Sequence, residues 1–306
     1  MTQAVVFPGQ GAQSVGMLAE LNESYPSIQQ RFAEASDLLG VDLWQITTQG
    51  PAEVLAQTEN TQPVLLTASY ALWELWAPNT ADLAVLAGHS LGEYSALVCG
   101  GAIGFADGVR LVRRRGELMN QAVPAGQGGM AAVLGLEDEQ VTQICLETPG
   151  QVNAVNFNAP GQVVIAGASD ALNAAIEACK AAGARRALPL DVSGPFHSEL
   201  MAVAAAELSE FLGAIEVGMP SVPVIHNVDA KVSACPEEIR TKLVAQLHQP
   251  VRWTACVAAM QALGATGYIE CGPGNVLAGL LKRISRDNKC TGLSTTDGLQ
   301  AARSTD

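Results

Sequence analysis

The apolar run Leu83–Ala87 stops at Gly88-His89-Ser90-Leu91-Gly92, and a helical pattern, Glu93–Cys99, follows at once. Passing from strand to helix in so few residues needs neighbours without Cβ atoms, because a side chain there would strike the adjoining strand or helix. The serine at the apex then presents its hydroxyl to solvent. The backbone N–H groups that follow, Leu91 first, lie at a helix start, where a developing oxyanion would be held. The five-residue pattern is short enough to arise as an ordinary strand-to-helix turn; the strand before it and the helix after it are what make it a nucleophile elbow.

The rest of the chain alternates in the same way. A strand at Ala4–Phe7 breaks at Pro8-Gly9-Gln10-Gly11, and helices follow at Tyr25–Leu39, Pro63–Trp76 and Ala106–Ala122. This alternation predicts a mainly parallel sheet covered on both faces, in a large α/β-hydrolase-like body. The middle has another order: Met130–Leu136 strand, Asp138–Glu147 helix, Val152–Asn156 and Gln162–Gly167 strands, Asp170–Ala182 helix, Arg186–Val192 strand. That β-α-β-β-α-β order predicts a ferredoxin-like small domain, residues 126–193, inserted into a large catalytic domain formed by 1–125 and 194–306. The α/β pattern then resumes with helices at Ser198–Phe211, Glu237–Gln246, Thr254–Leu263 and Val276–Ile284, and strands at Val222–Asn227 and Gly267–Glu270. An insertion of this kind places a cleft between two bodies.

A serine needs a base, and the chain has four histidines. His89 adjoins Ser90 on a tight turn, where neighbouring side chains diverge. His226 falls in a strand, and His248 at a helix end beside Pro250. His197, in the loop Ser193-Gly194-Pro195-Phe196-His197-Ser198 at the domain junction, is the candidate base, against a merely structural loop histidine. No Asp or Glu presents itself as a third member: Asp191 is too close to His197, and Asp138 and Asp170 read as helix caps. The missing acid counts against a plain esterase, because an amide or backbone carbonyl can orient a neutral imidazole. The Gly9-Gln10-Gly11 turn resembles a dinucleotide fingerprint but has Ser14 where the third glycine belongs; its better use is a bare N–H near Gln10, aimed at the same oxyanion as Leu91. Arg115 differs from its neighbours Arg110, Arg113 and Arg114 in lying on the apolar side of its helix, between Leu111 and Leu118. A buried guanidinium needs a partner, either a substrate carboxylate or a protein acid.

A net charge of −13 argues against nucleic acid as a partner. Seven cysteines without a CxxC pair argue against a disulfide frame or a zinc site, and no apolar run spans a membrane. These features predict a soluble, cytoplasmic protein.

Taken together, FPGQGAQSVGML at Phe7–Leu18, TQPVLLTAS at Thr61–Ser69, GHSLGEYSALV at Gly88–Val98, RGELMNQAVP at Arg115–Pro124, NAPGQVVIAG at Asn158–Gly167, GPFHSELM at Gly194–Met201, QLHQPVRW at Gln246–Trp253 and ECGPGNVLAGLLKRI at Glu270–Ile284 resemble the malonyl-CoA:acyl carrier protein transacylases of bacterial fatty-acid synthesis. The resemblance spans nearly the whole chain. It implies ping-pong transfer of malonyl from malonyl-CoA to the phosphopantetheine thiol of an acyl carrier protein, by way of a malonyl ester on Ser90. It implies His197 as base, Gln10 and Leu91 as the oxyanion hole, Arg115 as the partner of the malonyl carboxylate, and a carbonyl of Gln246 orienting the histidine. Phe196 would narrow the space for a 2-methyl group. No cofactor or metal is implied, since malonyl-CoA is substrate and the phosphopantetheine belongs to the carrier. An acidic carrier would dock on a local basic patch, either Arg110, Arg113 and Arg114 or Lys282, Arg283 and Arg286. Asn156 and Asn158 would contact pantetheine or end a strand. The rival readings are a related acyltransferase serving a polyketide or malonate-decarboxylase carrier, and a serine hydrolase.

Overall fold

A computed structural model describes residues 2–304. The elements in chain order are β1 (Gln3–Phe7), α1 (Ala19–Ser24), α2 (Ser27–Leu39), α3 (Leu43–Gln49), α4 (Ala52–Leu55), α5 (Thr58–Trp76), β2 (Leu83–Gly88), α6 (Leu91–Cys99) and α7 (Phe105–Gln121). The middle contributes β3 (Gly128–Leu134), α8 (Asp138–Glu147), β4 (Val152–Ala159), β5 (Gln162–Ala168), α9 (Ser169–Ala181) and β6 (Arg186–Pro189). The chain continues through α10 (Ala202–Gly213), β7 (Val224–Ile225), α11 (Pro236–Gln246), α12 (Trp253–Ala262), β8 (Gly267–Glu270), α13 (Val276–Ile284), β9 (Cys290–Gly292) and α14 (Thr296–Arg303). No helix of the described residues is long and apolar enough to cross a membrane.

Five strands form a parallel sheet in the order β7-β2-β1-β8-β9. Its strands read as unbroken apolar runs because helices cover both faces: Val5 and Phe7 enter one core while Ala4 and Val6 enter the other. Phe7 pairs in register with Gly88, so the Pro8–Gly11 and His89–Leu91 segments emerge side by side at the carboxyl ends of the two strands. Ligands bind at that end in open α/β sheets.

The second sheet is antiparallel, in the order β4-β5-β3-β6. Its alternation is two-sided as well. Ala131, Val133, Val163 and Ile165 pack with residues of α8 and α9, whereas Met130, Val164 and Ala166 join the large core shared with the parallel-sheet body. The backbone around β4 is also tied to that body, Phe157 N–H donating to Val251 O at 3.0 Å and Val251 N–H to Val155 O at 2.8 Å.

The expected elements occur with shifted ends. The strand expected at Val222–Asn227 pairs only over Val224–Ile225, because His226 and Asn227 turn into the site described below. Asp138 and Asp170 are not helix caps: Glu137 caps α8 through a capping box with Gln140, and Ala168 precedes α9. Pro63 lies inside α5, where its missing N–H leaves the carbonyl of Glu59 without an intrahelical donor. Arg113 supplies one, Nη1 donating to Glu59 O at 3.2 Å and to Asn60 Oδ1 at 2.7 Å while Nε pairs with Glu117. Arg113 is thus a structural cation and not part of a free basic face. Arg113→Met is expected to lower unfolding stability by about 1–3 kcal/mol, the cost of an orphaned carbonyl and amide. Urea denaturation measures it; a variant as stable as the parent would refute this role.

Candidate active site

The turn between β2 and α6 is as tight as the sequence requires. A Cβ on Gly92 would come within 1.9 Å of Phe7 O, and one on Gly88 within 1.8 Å of the Gly92 carbonyl carbon. The turn is pinned to β1 by His89 N–H donating to Phe7 O at 3.0 Å. Ser90 at its apex has φ 52° and ψ −111°, a left-handed conformation that a side chain rarely adopts. Such strain, of order 1–3 kcal/mol, persists only where the surroundings hold it. Here Asn227 holds it from behind: its Oδ1 accepts from Ser90 N–H at 2.7 Å and its Nδ2 donates to Gly88 O at 2.7 Å.

His197 reaches Ser90 from the opposite wall, Nε2 lying 2.7 Å from Oγ. Its own backbone is also left-handed, at φ 61°. Nδ1–H donates to the backbone carbonyl of Gln246 at 2.6 Å. That bond fixes the tautomer, leaving the Nε2 lone pair for the Ser90 hydroxyl proton. The imidazole is buried. Desolvation first, and the Arg115 charge second, push its pKa down to about 3, against the raising effect of the Gln246 carbonyl. His197 is therefore a neutral base at neutral pH.

Arg115, 1% exposed on α7, completes the group. Nη1 donates to Gln62 Oε1 at 2.9 Å, and Nη2 donates to Gln246 Oε1 at 2.9 Å and to Ser90 Oγ at 3.3 Å. The guanidinium carbon lies 5.0 Å from the Tyr94 ring centroid, and Nε is buried without an acceptor among the described residues. Among the described residues Arg115 has no ion pair with a carboxylate. Burial accordingly pulls its pKa below the ordinary guanidinium value.

Among the described residues the backbone N–H groups of Gln10 and Leu91 find no protein acceptor, and both residues line the cavity that holds Ser90, His197 and Arg115. This cavity measures about 370 Å³, with Asn156 and Phe196 on its walls. A larger cavity, about 990 Å³, shares His197 but neither Ser90 nor Arg115, and His248 lines it. All six residues singled out in the sequence thus meet at one place.

Four residues of the site were not foreseen. Gln62 and Asn227 hold Arg115 and Ser90; Glu93 and His226 form a buried pair behind them, His226 Nδ1–H donating to Glu93 Oε1 at 2.7 Å. Gln62 stands in the TQP segment and Glu93 directly after the elbow, and a polar residue beside an apolar run in each helix is the signal that could have found them. Asn158 does not end its strand at a free edge: His89 Nε2–H donates to its Oδ1 at 2.7 Å, joining the elbow to β4. Asn156 presents a buried Oδ1 without a partner. Among the described residues no His, Cys, Asp or Glu cluster could hold a metal ion.

The acyl transferase domain model matches residues 4–296. The malonyl CoA-acyl carrier protein transacylase of Salmonella typhimurium is 54% identical over 306 residues, covering 99% of each chain, and that of Bacillus subtilis 46% identical over 98% of this chain and 95% of the other. A malonyl-transacylase solved in complex with a type II polyketide synthase acyl-carrier protein superposes with a TM-score of 0.97 at 49% identity, over the whole of both chains. The Vibrio cholerae acyl carrier protein S-malonyltransferase gives 0.93 at 52% identity, covering 98% and 99%. With its fold and about half of its sequence shared along nearly the full length by such relatives, the chain belongs to the acyl transferase family, among the malonyl-CoA:acyl carrier protein transacylases.

Proposed function

We propose that the protein transfers malonyl from malonyl-CoA to the phosphopantetheine thiol of an acyl carrier protein through a malonyl ester on Ser90. The observation that carries this reading is Arg115: a buried cation beside the nucleophile, bonded only to neutral oxygens and with Nε unclaimed. An acyl group bearing a carboxylate supplies the missing anion, and an acetyl group would leave the guanidinium uncompensated.

Ser90 Oγ attacks the thioester carbonyl as Nε2 of His197 takes its proton. The N–H groups of Gln10 and Leu91 hold the oxyanion while the CoA thiolate leaves and takes up the proton from His197. The carrier thiol then attacks the malonyl-serine, His197 again moving the proton. A thioester is already activated, so a neutral carbonyl behind the histidine suffices where an amide hydrolase uses a carboxylate. Phe196 narrows the space beside C2 of the acyl group, and the unpaired Oδ1 of Asn156 suits an amide N–H of pantetheine. No resident cofactor has a part in these steps.

The division into an α/β-hydrolase-like body (1–125 and 194–306) and a ferredoxin-like insertion (126–193) belongs to the same proposal. It is supported by the β-α-β-β-α-β order and by the β4-β5-β3-β6 antiparallel arrangement. For carrier docking, Arg113 is committed to α5 and Arg114 to Glu207 and Glu117. Exposed Lys282 and Arg286, at the end of α13 and just beyond it, have no ion pair among the described residues, which favours this second patch.

Incubation with malonyl-CoA is expected to add one malonyl group, seen by intact mass, and Ser90→Ala should abolish it. An adduct on Ser90→Ala, or none on the parent, would sink the mechanism. Arg115→Ala should lower malonyl more than acetyl transfer, by about tenfold or more; equal losses would make Arg115 structural. Because the folded pKa of His197 is depressed, the base stays unprotonated as pH falls below the ordinary histidine value. Acylation rates should therefore hold from pH 8 to about pH 5, and a fall centred near the unperturbed value would contradict the assignment. Lys282→Glu with Arg286→Glu should raise KM for the carrier and leave that for malonyl-CoA unchanged; an unchanged carrier KM removes the patch.

A further inference from the structure

The Gln246 side chain faces two groups that can each do only one thing. A guanidinium only donates, and Arg115 Nη2 donates to Oε1 at 2.9 Å. An ionised carboxylate only accepts, and Glu93 Oε2 accepts from Gln246 Nε2 at 2.8 Å. The amide has nearly equal ends, so its orientation is set by whichever neighbours it meets. Ser90 O and Asn227 Oδ1 also accept from Nε2, at 3.0 and 3.4 Å. Glu93 is in turn fixed by His226 Nδ1–H on Oε1 and by Asn227 N–H, at 2.8 Å, on Oε2. Glu93, Gln246 and Arg115 are each at most 1% exposed, so these bonds are shielded from bulk solvent.

We propose that Glu93 is a positioning residue for acyl selectivity: its carboxylate holds the Gln246 amide with Oε1 toward Arg115, and so sets the guanidinium for the acyl carboxylate. This rests on the proposed malonyl transfer. A reversed amide would turn Nε2–H₂ toward a cation, and Arg115 would have to withdraw from Ser90. Glu93 touches neither His197 nor Ser90 Oγ. It is the buried acid of the site, acting at one remove, and its charge is also among the influences that counter the lowering of the Arg115 pKa. A carboxylate directly on His197 would favour the imidazolium; one placed behind Gln246 leaves the imidazole neutral while still anchoring the cation.

The test compares two substitutions at one position. Glu93→Leu keeps the bulk and removes every acceptor, whereas Glu93→Gln keeps one oxygen for Gln246 if its amide N–H₂ turns to a His226 that has changed tautomer. Acyl-serine formation is followed with malonyl-CoA and with acetyl-CoA. In Glu93→Leu the malonyl-to-acetyl ratio is expected to fall about tenfold or more, the usual consequence of removing a charged group's acceptor, beyond any loss that both rates share through Asn227 and Gln246. Glu93→Gln should keep the ratio within about threefold of the parent. An unchanged ratio in Glu93→Leu overturns the proposal, as does a Glu93→Gln ratio that falls as far as the Leu one. If Glu93→Leu does not fold, Glu93→Asp, which draws the oxygens back by one methylene, takes its place with the same expectation. Without substrate, the guanidinium N–H resonances of ¹⁵N-arginine-labelled protein give a second reading. The Arg115 signals should be slow to exchange in the parent and in Glu93→Gln, and lost in Glu93→Leu or Glu93→Asp; signals that persist overturn the proposal. If the parent forms no malonyl adduct, malonyl transfer fails, and the resonances still decide the role of Glu93.

Discussion

The working parts of this protein converge on one residue, Gln246, at the last turn of α11. Its backbone carbonyl takes the Nδ1 proton of His197, its side-chain oxygen takes Arg115, and its side-chain nitrogen bonds the Ser90 carbonyl. Base, cation and nucleophile are thus referred to a single buried amide and its peptide bond. An unpaired polar group in a low dielectric is costly, so losing any one of these bonds would be felt by the other two. The helix end that carries Gln246 is accordingly as much a part of the site as the elbow that carries Ser90.

Both reacting residues sit in backbone conformations that L-amino acids avoid. Ser90 is held there by glycines that let the turn press against β1, by the Phe7 carbonyl and by Asn227. Neither residue is held by its own propensity. The strain is sustained by the rest of the fold, above all by the two-faced burial of β1 and β2, which fixes where their carboxyl ends lie. A flexible loop could present the same side chains, but not the 2.7 Å contact between Ser90 Oγ and His197 Nε2 with both partners already oriented.

Much of this was legible from sequence because the signals were local. The elbow announced itself by glycine spacing, and Arg115 by its phase on an amphipathic helix. His197 followed from the scarcity of histidines. Gln246 could not be read from physics, since its contact with His197 is through a backbone carbonyl, which any residue type has; it came only from the resemblance. Glu93 was passed over because an acid in the first turn of a helix is ordinary there, and its partners, His226 and Gln246, are 133 and 153 residues away. Arg113 looked like surface charge because the orphaned carbonyl it serves exists only once Pro63 is placed inside α5. A strand end shifted for a similar reason: His226 and Asn227 continue the apolar run that begins at Val222, but they are claimed by hydrogen bonds to Glu93 and Ser90 on another element.

The second sheet gives one face to its own helices and the other to the common core, with β4 bonded to Val251 and Asn158 to His89. Two sheets joined in this way cannot part without shearing a close-packed interior and breaking backbone bonds. Nucleophile, base and arginine are therefore held in contact before any ligand arrives. The cost of ordering the site is met during folding, before any ligand is present, so that little of the binding energy of CoA or carrier is diverted into rearranging the protein.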